Sequence, residues 1–246
     1  MNEIGLSGKI LFVGAHCDDI EIGCGGTAAK CVEAGCDVGF AIATFDLKQK
    51  WVNVRKNEAI KSASLVGVSL KEKNLFFGRF VPGDLTREEQ KVRVWLKCVA
   101  DKFKPDTVFI HRNDDHTDHQ AIYKIGIGVF QNNNIFLYYI PRPFPETPYS
   151  FNYAEDISEA ISTKLKMCAC HVSQPGDYIS EEAVKSSGHY WYMRTFSRVA
   201  KRNNGYAEPF IIHAFRSPVG KPPLYSKVSY DLRLIRTKEG NLKWVD

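Results

Sequence analysis

The sequence predicts an α/β fold: a Rossmann-like, mostly parallel sheet with helices on both faces. Two observations carry this expectation. The first apolar runs, KILFVGA (residues 9–15) and DVGFAIAT (residues 37–44), are apolar throughout rather than alternating, as strands covered on both faces must be. Such runs then alternate with helical segments at the spacing of βαβ units, which places helices between parallel strands.

Taken in order, KILFVGA is the first strand, TAAKCVEAG (residues 27–35) a helix closed by a glycine, and DVGFAIAT the second strand. A helix through RKNEAIKSASLVGV, a short strand NLFF and a helix through REEQKVRVWLKCVADKF follow. After Pro105 come the strand DTVFIH, a helix through HQAIYKIGIGVF and the strand NIFLYYI. From Pro141 the pattern changes: PRPFPETPYSF is proline-rich and irregular. A helix near EDISEAISTKLKMCACH, a loop-helix region over residues 188–198, and late strands PFIIHAF and KVSYDLRLIRT complete the chain. No internal repeat or low-complexity linker is visible, so residues 1–246 are expected to form a single domain with a C-terminal elaboration from about residue 141.

Composition bounds the function. With 246 residues, 44% hydrophobic and 25% charged, the chain is long enough for one large core. The net charge of +5 is scattered, and its densest group, RVAKRNNG (residues 198–205), is short and lacks interleaved aromatics. That argues against nucleic acid as a partner, while a mildly basic surface suits an anionic small substrate. No stretch approaches the ~20 apolar residues of a membrane span, and the opening MNEIGLSGKILFVGAHCDD carries no signal-type basic and apolar regions, so a cytoplasmic protein is expected. Seven cysteines, an odd number without a CxxC pair, argue against a disulfide framework or zinc ribbon.

The chemistry concentrates in two turns. VGAHCDDIEIGCGG places His16, Asp18 and Asp19 just after the first strand, and RNDDHTDH places Asp114, Asp115, His116, Asp118 and His119 just after DTVFIH. In an open parallel sheet the loops beyond the carboxyl ends of neighbouring strands share one crevice. Crowded carboxylates repel one another unless a positive charge is held among them. Imidazole plus carboxylate is the ligand set of a catalytic Zn²⁺ or similar divalent ion. A plainer reading makes Asp18 or Asp19 a helix cap and the second loop a polar turn; it accounts for each residue singly but not for both loops together.

A rival reading starts from GCGGTA (residues 23–28), which satisfies G-x-G-x-x-A, with Asp46 placed as a ribose-binding acid. It would make the chain a dinucleotide-binding oxidoreductase. Its register is wrong, because His16 to Ile22 intervene between the strand and the first glycine. A metal- or ligand-binding module without catalysis is a third reading. Cys168 and Cys170 cannot both face one site from a helix, no G-x-S-x-G is present, and HYWYMRTF (residues 189–196) reads as packing rather than a stacking platform.

At the two turns the sequence resembles the PIG-L/LmbE family of metal-dependent N-acetylglucosaminyl deacetylases. AHCDDIEIGCGG matches the family's (A)HPDD and Gly-Gly helix start, and HTDH its late H-x-D-H. VRKNEAIKSASLVGV, KLKMCACHVSQ and GYAEPF resemble further family segments, so the likeness runs from about residue 9 to about 215. The resemblance implies an LmbE-like fold and removal of an N-acetyl group from an amino sugar, GlcNAc-type or nucleotide-linked. It further implies that His16, Asp19 and His119 bind the metal, Zn²⁺ or else Fe²⁺ or another divalent ion. Asp18 would be the general base, His116 an electrophile or general acid, and Asp118 the residue that orients or tunes it. Arg55 falls at a substrate-contacting position, and His171 either contacts substrate or is a satisfied core histidine. Cys17 replaces the family's proline, and a thiolate there would alter metal preference or confer oxidation sensitivity.

Overall fold

The computed structural model describes residues 6–45, 52–141, 150–174, 176–196, 204–215, 233–236 and 242–245. Five strands, β1 (Lys9–Gly14), β2 (Asp37–Thr44), β3 (Leu75–Phe80), β4 (Thr107–His111) and β5 (Asn134–Tyr138), run parallel in the order β3-β2-β1-β4-β5. β6 (Tyr153–Asp156) and β7 (Ala207–Ala214) extend this sheet beyond β5, with β7 antiparallel to both neighbours. The fold is therefore α/β with a mostly parallel sheet, as the apolar runs predict. A separate hairpin pairs β8 (Arg233–Arg236) with β9 (Leu242–Val245).

Alternation along β1 builds the two faces. Ile10 and Phe12 pack into a core with α1 (Asp19–Glu33), α2 (Val52–Ser64) and α5 (Ile161–Cys168), while Leu11 and Val13 face the core under α3 (Glu89–Phe103) and α4 (Thr117–Val129). Each of these four β1 side chains is fully buried, which is why the strand shows no polar alternation. β1 leads to β2 on one side and pairs with β4 on the other, so the strand order reverses between β1 and β4. A crevice opens beyond the carboxyl ends of strands at such a reversal.

Three elements differ from the sequence expectation. The helix read over residues 27–35 begins at Asp19, so the glycine-rich stretch lies inside it. β6 has no counterpart in the prediction, and the loop-helix region is one helix, α6 (Glu181–Thr195), capped by Ser180, whose Oγ accepts from the Ala183 N–H. In α6, Trp191 and Tyr192 are buried with Phe196 against β6 and β7, the packing role expected for the aromatic cluster. Asp46, most of PRPFPETPYSF and the basic cluster at residues 198–203 lie outside the described residues. No described helix is long and apolar enough to cross a membrane.

Candidate metal centre

Both turns open into the crevice at the ends of β1 and β4. β1 ends at Gly14 and α1 starts at Asp19, so His16 and Asp18 sit in a tight connection with Asp19 as the first helical residue. β4 ends at His111, and α4 starts at Thr117 with His116 as its N-cap. His116 fills the place usually taken by a Ser or Asp oxygen, its Nδ1 accepting from the Asp118 N–H at 3.1 Å.

Asp19 is the centre of the cluster. Its Oδ2 accepts from the His16 N–H at 2.6 Å and lies 3.3 Å from His16 Nδ1, while its Oδ1 lies 3.4 Å from His119 Nε2. His16, Asp19 and His119 thus present one ligand atom each within 4.8 Å of one another. The ring nitrogens that face away are held. His16 Nε2 lies 3.0 Å from Asp118 Oδ2, and His119 Nδ1 lies 2.7 Å from Asp114 Oδ2. Carboxylates in this outer position fix ring orientation and raise ligand basicity at histidine metal sites.

The electrostatics follow from the crowding. Burial opposes charge on His16, but Asp19 and Asp118 outweigh it and raise the pKa to about 10. Burial likewise opposes charge on His119 and is outweighed by Asp19 and Asp114, so its pKa also rises. Asp19 goes the other way: against burial, His111, His119 and His16 hold it well below the usual carboxylate range. Asp18 is raised, by burial and then by Asp19.

Asp18 occupies the N-cap position of α1 but makes no capping hydrogen bond; its Oδ2 instead accepts from the Tyr178 hydroxyl at 3.2 Å. The capping reading therefore does not describe it. Asp18, Asp19, His16, His116 and His119 line one cleft of about 560 Å³, with Arg55 and Tyr178 among its other walls. Arg55 Nε is buried and has no hydrogen-bond partner among the described residues.

The geometry departs from the expectations for Asp118 and Cys17 and bears on the two alternatives for His171. The Asp118 carboxylate does not orient His116: it faces His16 and accepts from the N–H groups of Gly83 at 2.6 Å and Leu85 at 3.2 Å. Gly83 has φ +88°, a left-handed conformation that turns its N–H into this cradle. His171 does not line the cleft: it is 2% exposed and stands 3.2 Å from Glu21 Oε1, but neither ring nitrogen has a hydrogen-bond partner among the described residues, so it is not the satisfied core histidine of the alternative reading either. Cys17 points away from the ligands, its Sγ reaching the Thr44 carbonyl at 3.6 Å, and burial followed by Asp18 keeps the thiol protonated. A buried neutral thiol neither ligates nor oxidises readily.

Sequence reading missed His111 and Tyr178 as parts of the site, and it placed Asp114 in the second turn without assigning it a role. His111 Nε2 stands 3.0 Å from Asp19 Oδ2 and 2.9 Å from the Tyr138 hydroxyl, and burial, then His119, lower its pKa to about 4. It is a neutral ring bracing the central carboxylate. As the last residue of an apolar strand it carries no motif that would mark it. The glycines of GCGG do not face the crevice; a Cβ on Gly23 would lie 2.3 Å from the Tyr138 ring and one on Gly26 2.7 Å from Ile157. They let α1 approach the sheet closely, so a pyrophosphate has no access to them and the dinucleotide reading fails.

The PIG-L family model, described as GlcNAc-PI de-N-acetylase, matches residues 11–130, which span β1 through α4 and both turns. Residues 11–130 are thus similar to the PIG-L family domain. Solved structures share the fold over most of the chain. N,N'-diacetylchitobiose deacetylase from Pyrococcus horikoshii is 23% identical with a TM-score of 0.67, covering 85% of each chain. The conserved protein TT1542 from Thermus thermophilus is 23% identical with a TM-score of 0.68, covering 87% of this chain and 97% of its own. The 4-carboxy-2-hydroxymuconate hydratase GalB from Pseudomonas putida is 16% identical with a TM-score of 0.65, covering 87% and 100%. The shared fold thus covers more of the chain than residues 11–130, and by their names these neighbours include a deacetylase and a hydratase.

Proposed function

We propose that the protein is a divalent-metal-dependent N-deacetylase that hydrolyses the acetamide of an N-acetylated amino sugar. The observation that carries this reading is the convergence of His16, Asp19 and His119 beside Asp18 on one cleft wall. The similarity to the PIG-L family domain and the diacetylchitobiose deacetylase neighbour support it.

The donor set fits a borderline divalent ion such as Zn²⁺. Two imidazoles and one carboxylate leave a coordination position open, and each ligand has an outer partner: Asp118 for His16, Asp114 for His119 and His111 for Asp19. An ion held there supplies positive charge that acidifies water and polarises an acyl oxygen.

The chain's own residues supply the rest. Asp18, raised by burial and by Asp19 and exposed to the cleft, is placed to take a proton from the attacking water, a step worth ~10²–10⁴-fold. The C–N bond breaks, the acetyl group leaves as acetate and the nitrogen as an amine, which receives the proton carried by Asp18. His116 Nδ1 is occupied by the Asp118 N–H, so the proton of its neutral ring sits on Nε2. That N–H is a donor for the acyl oxygen as negative charge develops, a contact worth ~10²–10³-fold. Arg55, with Nε unpaired in the cleft wall, serves as a donor to a sugar hydroxyl or phosphate. Residues 1–246 act as one unit in this reading, with β6 and β7 completing the sheet behind the cleft.

The test is amine release from a panel of N-acetylated amino sugars, free and nucleotide-linked, by wild type and Asp18→Asn. Release by the wild type, lost in a variant that keeps its ion, is expected. A wild type that holds its ion yet releases no amine across the panel, as a purely binding module would, contradicts the proposal.

A further inference from the structure

Helix α1 is broken inside. Cys24 has φ −150° and ψ 19°, outside helical values, so a first turn carrying Asp19 is separated from the longer segment that packs on α5. A break of this kind orphans backbone groups in a buried place, and each must find a partner. Here two side chains from distant segments supply them. Lys164 Nζ donates to the Ile22 carbonyl at 2.6 Å, on the side of the first turn. Glu208 accepts from the Gly26 and Thr27 N–H groups at 2.9 and 2.8 Å and from the Thr27 hydroxyl at 2.6 Å, on the far side. Lys164 and Glu208 are joined to each other at 2.6 Å, and they are 5% and 2% exposed. Lys164 lies in KLKMCACHVSQ and Glu208 in GYAEPF, segments to which the mechanism assigns nothing.

We propose that the buried Lys164–Glu208 pair is a positioning pair, which holds the break in α1 and thereby fixes where its first turn presents Asp18 and Asp19. Neither residue lines the cleft, so both act through the backbone they bind. Lys164 grips the last part of the reactive turn, and Glu208 caps the helix segment behind it as an N-terminal carboxylate does. The glycines let this assembly sit against Tyr138 and Ile157, so the break has no slack in which to shift. Displacements of about 1 Å at a reacting constellation cost ~10²-fold, which makes a fixed break consequential.

This inference rests on the proposed metal centre, and the experiment separates the two. α1 carries a second ion pair beyond the break, the half-buried Lys30 with the buried Glu155, which serves as the internal control. Zn²⁺ affinity, by competition with a chromophoric chelator, is measured on the full chain for wild type, Glu208→Gln, Lys164→Met and Glu155→Gln, alongside Tm. Glu208→Gln and Lys164→Met are expected to weaken Zn²⁺ binding by ~10–100-fold, while Glu155→Gln stays within about twofold of wild type at a comparable loss of Tm. Unchanged affinity in Glu208→Gln, or equal weakening in Glu155→Gln, overturns the proposal. If Glu208→Gln does not fold, Glu208→Asp keeps the charge but shortens its reach, and the same weakening is expected of it. Hydrogen exchange at residues 19–23 in the metal-free chain adds a readout independent of the ion. Faster exchange by about tenfold in the Glu208 variant and not in Glu155→Gln is expected, and no difference overturns the pair even if the wild type binds no Zn²⁺.

Discussion

The Asp118 carboxylate stands 3.0 Å from His16 Nε2, joining the two turns across 102 positions of sequence. Through the same carboxylate the loop after β3 is tied in, by the Gly83 and Leu85 N–H groups. The Asp118 carboxylate thus backs His16, a residue of the proposed metal centre, while its backbone N–H donates to His116. Replacing it with Ala frees the His16 ring, and Zn²⁺ affinity is expected to fall by ~10–100-fold with the fold retained. Competition titration checks this; wild-type affinity in Asp118→Ala would show that His16 needs no such support.

Asp18→Asn separates holding the ion from using it. Asp18 contributes no atom to the His16, Asp19 and His119 group, so ion content is expected to stay at the wild-type level. Turnover is expected to fall by ~10²–10⁴-fold, the worth of a positioned base. Paired metal analysis and amine-release assays give both numbers, and joint loss of metal and activity would assign Asp18 a ligand role instead.

Proton release gives the pH dependence. His16 is raised to about 10, so without an ion its ring holds the extra proton at neutral pH, and the pKa of His119 is shifted in the same direction by Asp19 and Asp114. A ligating imidazole must lose the proton from its coordinating nitrogen, so binding releases protons and affinity falls as pH falls. Calorimetric titration with Zn²⁺ at pH 7, in two buffers of different ionisation enthalpy, is expected to show proton release to buffer. Identical heats in the two buffers would contradict it.

Much of this was legible in the sequence, for identifiable reasons. β1, β2, β4 and β5 are apolar runs with clear ends, and His16, Asp19 and His119 stand in dense motifs at strand ends. The start of α1 was not legible, because GCGG has poor helix propensity and only packing against Tyr138 and Ile157 makes that stretch part of a helix. His111 looked like any strand residue, and its role depends on Asp19 arriving from 92 positions away. Glu208 similarly caps a helix break 181 positions earlier, a relationship that no local pattern encodes.

Cys17 is expected to be inert. Its side chain is 2% exposed and faces Thr44, so Cys17→Ala is expected to leave Zn²⁺ stoichiometry and affinity at wild-type values. Thiol-labelling reagents are expected to modify the exposed Cys98 well before Cys17 in the native chain. Mass spectrometry of the labelled protein decides this, and early labelling of Cys17 would mean that the turn opens.

The joined metal centre is tested most directly by ion stoichiometry, on chain purified without chelator or metal-affinity resin and then equilibrated with Zn²⁺, for wild type and His119→Ala. About one ion per chain in the wild type, lost in the variant, is the predicted result, since His119 is one of the three ligands of the proposed centre. No ion in either protein, or equal occupancy in both, would contradict a centre built from the two turns.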